Sequence, residues 1–318
     1  MTGVGPKPRP LRLAAAGSLA ADAATIEVLA ALRREGCEGL LLKGPAIAEL
    51  LYDRGEERSW DDADLLVDPA RYAQALAVLA ALGFAPAISD PIERASVPHA
   101  TALYRPGGAG LGPESIDLHR SFAGVGCTDR QLWANLSAER EAIELFGQPV
   151  PVPSTHARLA LVALHAASHG KPGERSRRDL QRAVARFGAA GWARAAALAS
   201  AWRAQDYFVV GLRLDPAGAR LLAELGISIE PGVGARMRGR GMPRAQRSIE
   251  QLHRTEGFGS RLRLIGRKVG PSPELMRTWK PLARRGRIGL LLAYLWRPPW
   301  LLWQLGVALG AYLRARRR

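Results

Sequence analysis

The chain has 318 residues, 47% of them apolar, which suffices for a buried core in two domains or one elaborated domain and excludes wholesale disorder. Its two cysteines, Cys37 and Cys127, lie outside any Cys-x-x-Cys pair, which excludes a disulfide scaffold and argues against a thiolate zinc site. The formal net charge of +16 is lopsided: residues 235–318 carry 20 Lys and Arg against 3 Asp and Glu, and the remainder is close to neutral.

In chain order, residues 1–18 are expected to be a flexible tail, its first ten rich in Pro and Gly. Residues 11–24 follow Lys7, Arg9 and Arg12 and faintly suggest an export signal. The stretch is mostly alanine, however, and Asp22 interrupts it before it runs into the helical pattern of Thr25 to Leu29. A tail followed by a helix, in a reducing cytoplasmic setting, is therefore expected. Leu19, Ile26, Leu29, Ala30 and Leu32 predict a helix over 19–35, ended by Gly36. Gly39 to Leu42 reads as a buried strand stopped by Lys43-Gly44, followed by a helix over 46–53 and a loop at 54–57.

Asp62 to Asp68 reads as a second strand, and Pro69 opens a helix closed by Gly83. Strands are expected at 101–104 and 115–120, paired as a hairpin across the Gly-rich loop 107–112. Gly147 to Ser154, with three prolines, reads as a boundary, and Ser154 as the N-cap of the next helix. Helices are expected over 155–169, 176–187, 191–204 and 216–224, then a Gly/Arg-rich loop over 231–243. The expected plan is α+β: an α/β domain over 19–150 with a mixed sheet flanked by helices, a helical domain over 151–230, and a basic, apolar helical extension over 231–318.

On a strand, residues i and i+2 share a face, so Asp62 and Asp64 are expected to project together. Two adjacent acids repel unless a cation lies between them, and Mg2+ or Mn2+ prefers such oxygen ligands. Asp117 and His119 share a face of the later strand. If the two strands are neighbours, three carboxylates converge, enough to hold two metal ions. An Asp-x-Asp pair alone is also common at strand ends, so the weight falls on its surroundings.

Leu42-Lys43-Gly44-Pro45-Ala46, then Leu51-Tyr52, Arg58 and Asp62-Ala63-Asp64-Leu65-Leu66-Val67 resemble one group closely. This is the uncharacterised nucleotidyltransferase family of the polymerase-beta-like superfamily. Its members carry a Lys-Gly turn, an Arg four residues before the first acid and an Asp-x-Asp-Leu-Leu-Val strand. Asp117-Leu118-His119 resembles the family's later Asp-Leu-His strand. Leu161 to His165, with His169 and Asp179, resembles the Leu-x-x-His pattern of its helical half. The resemblance spans residues 25–215 and, more weakly, Tyr294 to Pro298.

It implies the acids on adjacent central strands and transfer of a nucleoside monophosphate from a nucleoside triphosphate. The acceptor is not supplied. The implied metal ligands and catalytic residues are Asp62, Asp64 and Asp117, with Lys43, Gly44, Arg58 and His119 toward the nucleotide. Lys43-Gly44-Pro45 departs from the Gly-Ser turn of better-known members of the superfamily, and Pro45 removes one backbone donor. A catalytically inactive nucleotide- or partner-binding protein is the alternative. Asp61, which faces away on a strand, is assigned no metal.

His165 and His169, four apart on a helix, share a face, but Ala166 stands where a zinc-protease glutamate would be, which favours packing or a phosphate contact over zinc. Asp179 reads as a partner for either histidine, or as a cap or surface acid. At the C-terminus, apolar runs over 288–296 and 300–313 are expected to be broken by Arg297-Pro298-Pro299, each too short to cross a bilayer. Three readings stand open for this end: helices capping the core, an interfacial segment on anionic lipid, or a nucleic-acid contact, the last without a supporting motif.

Overall fold

The computed structural model describes residues 11–53, 55–56, 58–86, 99–107, 114–241 and 257–316. The tail 1–10 and most of the Gly-rich loop 107–112 lie outside the described residues. Helix α1 (Leu11–Arg34) starts eight residues earlier than the sequence pattern suggests. It leads into β1 (Gly39–Leu41), α2 (Pro45–Leu51) and β2 (Ala63–Val67). A 3-10 turn at Pro69–Arg71 is opened by Asp68, whose side chain accepts from the Ala70 amide, and feeds α3 (Tyr72–Ala81). Strands β3 (Ala85–Pro86), β4 (Ala100–Arg105) and β5 (Glu114–His119) come next.

These strands form one mixed sheet in the order β1-β2-β5-β4-β3. The expected hairpin is present, with β4 antiparallel to β5, and β5 runs parallel to β2. The fold is therefore α+β with a mixed sheet flanked by helices. On one face, Leu65, Val67, Ile116 and Leu118 pack against Val28, Leu32 and Leu79 from α1 and α3. On the other, Leu40, Leu42 and Leu66 meet Leu51 of α2 and the helical half. Burial of each such leucine contributes about 1.5–3 kcal/mol.

The stretch 121–152 holds elements the sequence pattern hides. Helix α4 (Asp129–Ala138) starts from a capping box between Thr128 and Gln131. Gly147 to Ser154, read as a boundary, instead contains β7 (Gln148–Val152), antiparallel to β6 (Glu141–Leu145). In this two-stranded ribbon Pro149 and Pro151 need not donate to a second neighbour, so proline is tolerated.

The helical half comprises α5 (Thr155–His169), α6 (Glu174–Arg186), α7 (Ala189–Ala201), α8 (Gln205–Leu212) and α9 (Pro216–Glu224). Nearly all of α5 is buried, and α6, α7 and α8 pack around it with Trp192, Trp202 and Phe208 at the centre. The expected loop at 231–243 contains a helix, α10 (Val233–Gly239). Helices α11 (Phe258–Val269) and α12 (Pro273–Trp279), a 3-10 turn at Pro281–Arg284 and α13 (Gly286–Arg316) complete the described chain.

Two polar contacts fix the segment that precedes β2. Trp60 Nε1 donates to Asp22 Oδ1 of α1 at 2.7 Å, while the Ser18 hydroxyl bonds the Trp60 backbone. Arg58 is buried against Asp179 of α6, its Nε 3.1 Å from Oδ1 and its Nη2 2.9 Å from Oδ2. The Tyr52 hydroxyl donates to the same Asp179 at 2.8 Å. Asp179 is 2% exposed and so not a surface acid, and with Arg58 it ties the sheet half to the helical half.

Both contacts predict measurable stability effects. Burial pushes the Asp22 carboxyl up to about 6 despite the Trp60 bond. A carboxyl raised in the folded state holds its proton more tightly there, so its contribution is most favourable below pH 4 and is lost as pH rises through 6. Asp22→Asn keeps the acceptor oxygen and removes the charge. It should raise urea-unfolding stability by about 1–2 kcal/mol at pH 7.5 and leave it unchanged at pH 4. Arg58→Ala or Asp179→Ala strands a buried charge and should cost about 3–5 kcal/mol in the same assay, most of it recovered in Arg58→Met/Asp179→Leu.

Candidate active site

The site forms where β2 and β5 run side by side. Asp64 is in register with Asp117, and Leu66 with His119. Because side chains alternate along strands, Asp64, Leu66, Asp117 and His119 all leave the sheet on the face turned toward α5. Asp62 precedes the strand in a bend and is half-buried. Asp61, expected to face away on that strand, lies in the same bend and is exposed.

Asp64 is 4% exposed, and its carboxylate has two partners. Lys43 Nζ donates to Oδ1, and His119 Nε2 donates to the same oxygen at 2.9 Å. The other ring nitrogen of His119 faces the Ser121 carbonyl at 3.3 Å. Burial alone would raise the Asp64 pKa, but Lys43 and His119 outweigh it and hold the carboxyl well below the usual range. Asp64 is thus a fixed anion. Its neighbours behave oppositely: burial, then Asp64 and Asp117, push Asp62 up to about 6. Burial and Asp64 raise Asp117 in the same way. The three expected acids therefore converge closely enough to repel one another.

A carboxylate oxygen from each of Asp64 and Asp117 and a ring nitrogen of His119 lie within 4.8 Å of one another. Its two carboxylates, with Asp62 alongside, suit a hard divalent cation such as Mg2+ or Mn2+, with His119 behind them. His119, expected against the nucleotide, is 3% exposed, bonded to Asp64 and stacked near Phe122 and His99. The contact holds Asp64, as an outer residue that orients a metal ligand does.

Gly44 adopts φ 60°, ψ −120°, a conformation that needs glycine, and this lets the chain reverse from β1 into α2 with Pro45 at the first helical position. The turn aims Lys43 at Asp64, and the Gly44 carbonyl accepts from Arg58 Nη1 at 3.0 Å. Arg58, which the resemblance directs toward the nucleotide, is engaged on three nitrogens by Asp179 and Gly44 and braces the Lys-Gly turn against α6. Sequence reasoning misses this clamp because Arg58 and Asp179 stand 121 positions apart, with no shared local pattern.

Beside the acids a narrow pocket opens between the Lys43 turn and α5, lined by Leu42, Lys43, Arg58, His165 and Asp179. Burial, then the charges of Lys43 and His169, lowers the His165 pKa well below its ordinary value, so the ring is neutral at pH 7. His165 meets His169 edge-to-face with ring centroids 4.5 Å apart. Neither belongs to the metal-ligand group found among the described residues.

A search of curated proteins gives no match. Among solved structures, the antibiotic-resistance factor ANT(2'')-Ia is similar, with 16% identity and a TM-score of 0.38, over 58% of this chain and 94% of that one. An antigenic nucleotidyltransferase-like protein from Paracoccidioides brasiliensis is similar with 16% identity and a TM-score of 0.37, over 60% of this chain and 94% of that one. Residues 9–216, which contain every acid of the site, the Lys-Gly turn and the Arg58–Asp179 clamp, match the family described as uncharacterised nucleotidyltransferase, and the chain belongs to that family.

Proposed function

We propose that the protein transfers a nucleoside monophosphate from a nucleoside triphosphate to a hydroxyl- or phosphate-bearing acceptor, using Asp62, Asp64 and Asp117 around Mg2+ or Mn2+. The observation that carries this reading is the in-register pair Asp64 and Asp117 on adjacent parallel strands, with Asp62 raised to about 6 by burial and then by their charges. Bound divalent ions would neutralise the triphosphate and stabilise the departing pyrophosphate. In the reaction an acceptor oxygen bonds to the α-phosphorus, the bond from that phosphorus to the bridging oxygen breaks, and pyrophosphate leaves.

The chain's own groups have separable tasks. Asp64, ionised and immobilised by His119, holds the cation position. Asp117, whose pKa is raised, takes the acceptor proton. Lys43, freed from Asp64 when a cation compensates that charge, turns its ammonium to the phosphates. Gly44 gives the turn room beside them. The free thiols Cys37 and Cys127 support a reducing, cytoplasmic setting.

One contact favours a second reading. Lys43 already compensates Asp64, and Pro45 offers no amide to a phosphate, as befits a member that binds a nucleotide or partner without turnover. Isothermal titration with each of four nucleoside triphosphates, with and without Mg2+, tests both. Under the first reading one triphosphate binds in a Mg2+-dependent manner, Asp62→Asn/Asp64→Asn abolishes the binding, and His119→Ala weakens it about 10–100-fold. Asp117→Asn then retains nucleotide and releases no pyrophosphate. Absence of binding to any triphosphate sinks the transferase reading.

A further inference from the structure

The sequence runs 288–296 and 300–313 are not two broken segments. They form one helix, α13, of 31 residues, with Pro298 and Pro299 inside it. At 1.5 Å per residue it is about 46 Å long. Its inner stripe of Gly289, Ala293, Arg297, Ala308 and Ala315 is buried. At Gly289 an added Cβ would lie 2.2 Å from the Leu282 carbonyl oxygen, so the helix docks backbone to backbone on the preceding 3-10 turn.

The outer stripe is apolar and open. Ile288, Leu292, Leu295, Leu302, Trp303 and Leu309 are each between 48% and 76% exposed, at helical spacing along nearly the full length. Helix α11 presents a second such stripe in Phe258, Leu262, Ile265 and Val269, all exposed. The reading in which these helices cap the core therefore fails for their outer faces. Exposed apolar stripes of this kind mark an interaction site.

Charge selects the occupant. Residues 257–316 carry twelve Lys and Arg against the single acid Glu274. A second copy docked on this face would bring two arginine-rich surfaces together. A nucleic acid would neutralise the arginines but leave the leucines and tryptophans in water. An anionic bilayer meets both, with acyl chains for the apolar stripe and headgroups for the basic flanks.

Orientation is set by the docked side. Arg297 Nε donates to the Lys268 carbonyl at 2.9 Å, and its guanidinium lies over the Trp279 and Trp300 rings. The Tyr294 hydroxyl donates to the Pro271 carbonyl at 2.6 Å. Crossing a bilayer would strip these contacts and bury Arg297 in lipid. Among the described residues, the helix that meets the length and hydropathy needed to cross is Ala15–Arg34, half of it packed in the protein. We propose that α13, with α11, seats the protein in the plane of an anionic membrane surface, apolar stripe down. This inference is independent of the nucleotidyl-transfer reading.

Sedimentation of the full-length protein with vesicles tests it, comparing pure phosphatidylcholine with phosphatidylcholine containing about one-third phosphatidylglycerol. At about 0.1 M salt, binding to the anionic vesicles should exceed neutral binding by at least about tenfold, and it should fall at about 1 M, where charges are screened beyond about 3 Å. Leu295→Glu/Trp303→Glu, at exposed positions, should lower anionic binding at least about tenfold with an unchanged unfolding midpoint. Arg314→Glu/Arg316→Glu should lower it and flatten the salt dependence. No partition onto anionic vesicles, or full partition by the Leu295/Trp303 variant, overturns the proposal. So does a concentration-dependent dimer that the same variant abolishes, or binding to an RNA hairpin without binding to vesicles.

Discussion

Burial of the Asp64 carboxylate on a central strand is the constraint on which the architecture around the site depends. An unpaired anion at that depth would be prohibitively costly, so its charge must be met by groups brought from elsewhere in the chain. Lys43 reaches it only because Gly44 takes a backbone conformation closed to other residues. That turn is braced by Arg58 through the Gly44 carbonyl, and Arg58 is in turn held by Asp179 of α6. His119 reaches the same oxygen because β5 runs parallel to β2 in a register that sets Asp117 beside Asp64. One buried charge thus links the sheet, the turn before α2 and the helical half.

The same arrangement leaves the site in tension. Lys43 and His119 satisfy Asp64 but not Asp62 and Asp117, whose carboxyls are raised by burial and by the acids around them. An apolar or amide residue at either position would relieve the repulsion. Keeping acids there makes folding carry a cost that a divalent cation removes, and that pattern belongs to binding sites rather than to cores. Lys43 already meets the Asp64 charge, so under the proposed reading a cation there would compete with the lysine that stabilises the protein without it, and stability and function would be coupled at Asp64.

Legibility in the sequence divides along a physical line. Period-two alternation places Asp64, Asp117 and His119 on shared faces, whereas Asp62, expected on the same strand, lies in the bend before it; the turn at Lys43-Gly44 is marked by its glycine. Pairing of β4 with β5 is signalled by two strand-like runs close in sequence. Contacts between distant segments carry no such signal. Nothing local in Tyr52, Arg58 or Asp179 announces that they meet, so the Arg58–Asp179 clamp is not legible and Asp179 alone reads as a partner for a histidine or a surface acid. The face of His119 is legible while its depth and its bond to Asp64 are not. Pro149 and Pro151 hide a ribbon strand, since proline excludes helix but not a two-stranded edge.

The C-terminal helix shows the same limit from the other direction. Arg297-Pro298-Pro299 carries the local code for a helix break, because each proline removes a donor and crowds the preceding turn. The helix continues because its two sides are pinned: Tyr294 to the Pro271 carbonyl before the prolines, Arg297 to the Lys268 carbonyl at them, and Trp300 against Trp279 after them. Tertiary anchors outweigh the local preference, and they also decide which face is hidden. As two separate apolar runs, the segment is ambiguous between core and surface. Docked along Gly289, Ala293 and Arg297, it acquires an inside, and the leucines and tryptophans left on its outside become a surface whose partner must accept both hydrocarbon and positive charge.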